Sequence, residues 1–378
     1  MQNVRSYTPA TAGTTNPVRR VSPRRLLRAL FLFGVKLYAL AALAYFALRW
    51  LVGERSIDGE GSYWLRLIGG FVGAGNSFMP AWLLPLLLLA LPALLLRGWL
   101  TVVLTLPTLV ALGVLYGEML LPGSYQPVGM VTGPEFTLVT YNLHADSRPA
   151  VLERQAGVIR TLNADVVLLQ ELSEGAVDFY EREFADEYPY RALFPYTNEP
   201  VSGGGILSRY PVENAETWRN TMGHVRAEVL IGGVRVQMFS IHPMIPSLTP
   251  WAFSNRVRDR EIADVLERAE QLDRTLPFVL AGDFNLNDQS PMYRVVDARY
   301  TDVVRRVGVG LSPTFPNASA WNTPLPSFIN FPLARIDYVF INHWLHPLEA
   351  RTHWDSGGSD HFPVYTRLTV TDPTASPG

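Results

Sequence analysis

LPFVLAGDFN, residues 276–285, decides how the polar part of this chain is read. Its apolar run has the length and β-branched character of a buried strand, and it breaks at Gly282 into an acid and an amide, Asp283 and Asn285. The same pattern recurs on both sides. FTLVTYNL (136–143) runs out at Asn142, ADVVLLQEL (164–172) at Glu171 and VRVQMFSIHP (234–243) at His242. RIDYVFI (335–341) opens on Asp337, and GGSDHFPV (357–364) carries Asp360 and His361. GGILSR (204–209) and HVRAEVLI (224–231) add two more strand candidates. Two stretches, 149–162 and 255–274, space their apolar residues at three and four and predict helices. The layout from 135 to 371 is therefore mixed α/β.

Polar residues at successive strand ends converge on one edge of a sheet, so their chemistry is read together. They are carboxylates, amides and imidazoles, and the chain has no cysteine. That excludes disulfides, thiolate zinc sites, iron–sulfur clusters and cysteine nucleophiles. Oxygen and imidazole donors without sulfur suit a hard cation, Mg2+ or Mn2+, whose usual employment is phosphate ester chemistry. Taken singly, each residue has a plainer role. Asn142 and Asn285 are ordinary turn formers, Glu171 a solvated strand end, His242 a core histidine, GDFN a hairpin turn and SDH a helix cap.

The 378 residues are 48% hydrophobic and only 17% charged, which is apolar for a soluble enzyme. The excess lies before residue 122. A basic tail, 1–25, carries Arg19, Arg20, Arg24 and Arg25, and a transmembrane segment, 26–121, follows it. Three spans are expected within that segment, at about 29–48, 76–96 and 99–117, each near the roughly 20 residues a bilayer requires. Pro85 and Pro92 predict a kink in the second, and Lys36 in the first is expected to snorkel to the headgroups. A cleaved signal peptide is the competing reading of the first span. The basic tail and Arg97 mark the cytoplasmic side, so three crossings place the C-terminal domain outside the cell membrane. A Gly/Pro-rich linker (122–134) and a polar tail expected to be disordered (372–378) flank the α/β domain (135–371). Residues 1–130 carry a formal charge of +7 and the remainder −9, which disfavours long nucleic acids as partners.

The ordered motifs TYNLH (140–144), LLQE (168–171), GGGILSRYPV (203–212), FSIHP (239–243), GDFN (282–285), RIDYVF (335–340) and SDHFPV (359–364) resemble the endonuclease/exonuclease/phosphatase superfamily, the DNase I-like fold. The resemblance implies a four-layered α/β/β/α sandwich with its site at one rim. It implies a metal site of Asn142, Glu171 and Asp360, with Glu171 the principal ligand. It also implies that Asp283 orients or deprotonates water, that Asn285 donates to phosphate, and that His242 and His361 face the phosphate, His361 with Asp337 behind it. Two positions depart from the DNA-repair members: His144 stands where those carry a metal-associated acid, and Val201 where they carry a phosphate-contacting Tyr, for which Tyr196 and Glu199 are nearby substitutes. The three-span layout resembles bacterial teicoplanin-resistance proteins of the VanJ type, which implies an extracytoplasmic hydrolase of a lipid-linked phosphate.

Two apolar loops, PMIPSLTPWAF (243–253) and WNTPLPSFINFPLA (321–334), should border the site. Trp251, Phe253 and Phe328 are expected either to touch an acyl or prenyl chain or to pack over the sandwich. The expected partners are the bilayer and a lipid phosphate, with nucleic acid the rival substrate and no protein partner implied. A catalytically inactive membrane-bound binding module is the remaining alternative. Arg256, Arg258 and Arg260 share a helix with interleaved acids and are expected on a solvated face.

Overall fold

Alternation along the strands builds the catalytic body. The computed structural model describes residues 22–120, 133–317 and 332–371. Two six-stranded sheets lie face to face. The first has β1 (Glu135–Asn142), β2 (Val166–Gln170), β3 (Tyr190–Phe194), β4 (Gly204–Ser208), β11 (Leu345–Thr352) and β12 (Val364–Val370), in the order β11-β12-β1-β2-β4-β3. The second has β5 (Val212–Arg219), β6 (Gly223–Ile231), β7 (Val234–Ile241), β8 (Phe278–Asp283), β9 (Thr301–Asp302) and β10 (Asp337–Ile341), in the order β5-β6-β7-β8-β10-β9.

Leu138, Val166, Leu168, Val229, Met238, Val279, Ala281 and Val339 fill the space between the sheets. Their neighbours of opposite parity face the helices. Val139, Tyr141, Val167 and Leu169 pack under α5 (Pro149–Leu162) and α6 (Glu174–Glu183). Phe239, Ile241, Leu280 and Phe340 pack under α7 (Arg256–Glu270) and α8 (Pro291–Asp297). This is the expected four-layered order, and the helix predicted over 149–162 has those bounds.

Four helices precede this body: α1 (Pro23–Leu51), α2 (Tyr63–Ser77), α3 (Met79–Leu95) and α4 (Trp99–Leu120). α1 and α4 are each long and apolar enough to cross a membrane. Leu27, Leu37, Leu88, Leu95, Val103 and Val114 turn outward, an apolar surface that water would not tolerate. The second expected span, 76–96, falls on α3, and its first residues lie beyond a break. α2 and α3 meet at Phe78 with a 72° bend. Pro80 explains the place: a proline starts a helix at no cost, because the first N–H groups lack acceptors anyway. Pro85 and Pro92, where the kink is expected, sit inside α3. A helix of 17 residues rises about 26 Å, the short end of what crosses a hydrocarbon layer.

α2 lies against the catalytic body. Gly70 and Gly73 pass so close to Pro250 and the Phe253 ring that a Cβ at either would collide, at 2.5 and 2.4 Å. The loop between α1 and α2 reaches the same place: Ile57 N–H donates to Phe253 O (2.7 Å), and Asn255 Nδ2 donates to the buried carboxylate of Glu54 (2.7 Å). Arg258 packs there too, with only 2% of its side chain exposed and its guanidinium on Asp259 (2.6 Å) and Glu54 (3.9 Å), so this part of the arginine cluster is a docking element and no solvated face. At the far end Gly98 meets Leu32 of α1, while Arg305 Nη2 donates to Leu115 O and Gly310 N–H to Met119 O near the end of α4. The ends of α1 and α4 and the start of α3 thus face the catalytic body. Most of the linker, the two tails and Phe328 lie outside the described residues.

Candidate active site

The interior parity of the strands, followed to one rim, leads to the site. Phe136, Leu138, Thr140 and then Asn142 share one face of β1; Val279, Ala281 and Asp283 share one face of β8; Val339 and Asp337 belong together on β10; Met238, Ser240 and His242 on β7. The apolar filling between the sheets therefore ends in polar groups. Asp283 and Asp337 are directly opposed partners in the β8–β10 ladder. Glu171 has the wrong parity on β2, but its backbone adopts φ +53°, which turns the side chain toward the others. Asn285 also has a left-handed φ of +49°.

Asn142 Nδ2 donates to Glu171 Oε1 (3.0 Å) and Asp283 Oδ2 (3.1 Å), bridging the two sheets. His242 Nδ1 lies 2.9 Å from Val201 O, a contact that assigns its proton to Nδ1 and turns Nε2 toward Glu171 (3.5 Å) and Asp283 (3.6 Å). His361 Nδ1 donates to Asp337 Oδ2 (2.9 Å), and its Nε2 is 3.6 Å from Asp283 Oδ2. Asn285 Nδ2 donates to Pro243 O (2.9 Å), which leaves its second amide hydrogen for a ligand. Asp283 Oδ1 accepts the Asn285 N–H (2.8 Å).

The electrostatics follow from burial. Asp283 is pushed up to about 6, by burial first and by the charge of Asp337 as well, against the pull of His361 and His242. Burial alone would lower His361, but Asp337 and Asp283 hold it well above the ordinary histidine range. It is therefore an imidazolium at neutral pH. His224, behind His242, is pushed down to about 3 by burial and by His242. It is neutral, and its Nδ1 accepts the His242 backbone N–H (3.2 Å).

Glu171, His242 and Asp283 each offer a ligand atom within 4.8 Å of the others, and so do Asp283, Asp337 and His361. Among the described residues no Arg or Lys pairs with Glu171, Asp283 or Asp337, and Asp337 Oδ1 is buried without a hydrogen bond. Uncompensated buried carboxylates of this kind fit a hard divalent cation.

Asp360, expected at the metal, turns instead to His144, with Oδ1 2.8 Å from Nδ1, and the two stand at the rim outside both groups. The hydrogen bond that His144 donates to Asp360 raises the imidazole, outweighing the burial that would lower it. Tyr196 and Glu199 do not reach the cluster: Tyr196 Oη is on Thr217 Oγ1 (3.2 Å) and Glu199 pairs with Arg219. Phe253 is buried against α2 and is not available to a lipid chain, whereas Trp251 is 67% exposed.

Sequence reasoning missed three supports. Ser359 Oγ donates to Asn142 O (2.7 Å) and accepts the His361 N–H (3.0 Å), tying the SDH loop to β1. Thr314 Oγ1 accepts the Asp337 N–H (3.3 Å), and Val201 acts through its carbonyl. Ser359 opens a quoted motif and Val201 stands out only as a departure from the family, so either could have been suspected; Thr314 carries no signal in the sequence.

The endonuclease/exonuclease/phosphatase family model matches residues 139–361. A search of curated proteins gives no match. The structure of D. rerio TDP2 complexed with single-strand DNA product superposes with a TM-score of 0.51 at 17% identity, covering 62% of this chain and 99% of that one. An endonuclease/exonuclease/phosphatase from Bacteroides vulgatus gives 0.50 at 15% identity, with 62% and 99% covered. At such identities the likeness is one of fold.

Proposed function

Since the chain belongs to the endonuclease/exonuclease/phosphatase family, whose model matches residues 139–361, we propose that it is a membrane-anchored, divalent-metal-dependent phosphoesterase acting on a lipid phosphate outside the cytoplasmic membrane. The observation that carries the proposal is the cluster of three carboxylates, buried Asp283 and Asp337 and half-buried Glu171, with no Arg or Lys paired to them among the described residues. Glu171 is the residue that would hold Mg2+ or Mn2+, with Asn142 beside it and Asp283 facing it across the site. A bound divalent cation supplies positive charge to the nonbridging oxygens of a phosphate.

The chain's own groups do the rest. Asp283, at about 6, is ionised at neutral pH yet basic enough to take a proton from water. The water oxygen bonds to phosphorus, the bond to the leaving oxygen breaks, and the proton resides on Asp283 Oδ2. His361, held as imidazolium by Asp337, donates from Nε2 to a phosphate oxygen and stabilises the charge that develops there. His242 Nε2 and the second N–H of Asn285 face the same space. No covalent enzyme intermediate is needed.

Sidedness belongs to the same proposal. The catalytic body meets the ends of α1 and α4 and the start of α3, so α1, α3 and α4 cross in alternation while α2 lies along the interface. With the basic tail inside, the site faces outward at headgroup level, as in the VanJ-type layout. The net charge of the catalytic portion argues against DNA or RNA as substrate. Full-length protein in vesicles with magnesium, offered a prenyl pyrophosphate and plasmid DNA separately, decides the matter. Release of phosphate from the lipid is expected; plasmid cleavage without lipid turnover would replace this reading by a surface nuclease.

A further inference from the structure

Two adjoining cavities run between the membrane helices and the site. The larger, about 410 Å³, is walled by Pro80, Ala81 and Leu84 of α3, Tyr116 of α4, and Leu333 and Trp354 of the catalytic body. It falls in the volume range of small-molecule sites and is predominantly apolar. The smaller, about 30 Å³, shares Ser77, Asn287 and Ala334 with it and reaches Asn285 and Phe315. The Phe315 ring is 4.8 Å from that of His361. An apolar passage therefore begins beside a membrane helix, narrows at the bend at Phe78, and ends at two residues bordering the catalytic cluster.

Each feature points to the same occupant. Leu84 lines the cavity and is 40% exposed, and it lies one helical turn from Leu88, which is 75% exposed, so the cavity adjoins the apolar surface of α3. The smaller cavity, about 30 Å³, leaves room for little more than a slender chain. The larger is apolar on its α3 side, with Asn76, Asp288 and Arg335 set into the rest of its wall, and the amides of Asn287 and Asn285 follow toward the site. We propose that this passage holds the hydrocarbon chain of the substrate and that α3, from Pro80 to Leu84, with Trp354 opposite, selects for it. The assignment rests on the lipid-phosphate reading of the site. It adds that the chain stays in the protein, and does not merely trail in the bilayer, while the phosphate is at Asn285 and His361.

The test uses full-length protein in phosphatidylcholine vesicles and two readouts. In the first, a long-chain alkyl phosphate bearing a diazirine near its phosphate end is photolysed in place and the labelled peptides are mapped. Labels on Pro80–Leu84 and Leu333 or Trp354 support the passage; labels confined to outward residues such as Leu88, Leu95 and Val103 overturn it. In the second, Ala81→Trp fills the cavity, and the ratio of kcat/KM for a long-chain phosphate to that for a short soluble ester should fall by ~10-fold or more; an unchanged ratio overturns the proposal. The two readings separate cleanly. Turnover of the soluble ester together with labels only on the outer faces sinks the passage and spares the phosphoesterase. Labels in the passage without hydrolysis of any phosphate do the reverse.

Discussion

Replacing Asp337 with Asn removes one charge from the deepest pair in the site and leaves the shape almost unchanged. His361 and Asp337 are each buried to within a few per cent, 2.9 Å apart, and Asp337 Oδ1 has no other partner to redistribute the loss. Removing one member of a buried pair typically costs about 3–5 kcal/mol, because the other charge is stranded. Asp283 remains 3.6 Å from His361 Nε2, so the lower end applies, about 3 kcal/mol of folding stability; the rate should fall separately, by roughly 10²-fold, as expected for loss of a general acid–base or charge-stabilising group. The sign is as follows. Asp337 holds the His361 proton, so the variant loses that proton at lower pH and the alkaline limb of the rate profile moves acidward. Asp337 also raises Asp283, so the acidic limb moves the same way. The assay is kcat for a soluble phosphodiester with saturating magnesium across about pH 5 to 9. A variant within about threefold of the parent, with both limbs in place, would refute the role given to the Asp337–His361 pair.

Three further outcomes are expected. Magnesium at ~100 times its dissociation constant should stabilise the parent by about 2.7 kcal/mol in thermal unfolding, and Glu171→Gln should lose most of that increment while the metal-free melting point barely moves; an equal magnesium shift in the variant would remove Glu171 from the metal site. In chelator, ionised Asp283 is unfavourable to the fold because its carboxyl titrates near 6, above its unfolded value. The stability its protonated form contributes is present at low pH and lost as pH rises from about 4 to about 6, so the difference between parent and Asp283→Asn should change over that window and be flat above it; a flat difference throughout would contradict the burial argument. Gly70→Ala drives a methyl against Pro250 O, 2.5 Å away, and should weaken the seating of α2 on the catalytic body by about 1–2 kcal/mol after the helix-propensity gain, read as faster proteolysis within 243–255; unchanged cleavage would mean that the contact is not held in solution.

Much of this was legible from local pattern alone. An apolar run ending in an acid or amide marks a strand and the rim at which it ends, and hydropathy marks the anchor, because both signals have short periods that need no partner. Asn142, His242, Asp283, Asp337 and His361 were all placed at strand ends or in adjoining loops, and they do meet. β3, β5, β9, β11 and β12 were not anticipated; β5 is largely exposed and polar and β9 is two residues long.

The residue types and their order were thus determined along the chain: hard-cation donors, an α/β body and an apolar N-terminal segment. Tertiary structure decided the pairings. It assigned Asp360 to His144, turned Glu171 inward through one left-handed backbone angle, put the break at Phe78 and buried Arg258 against Glu54. Those choices depend on charge, burial and excluded volume between segments tens to hundreds of residues apart, and no local period records them.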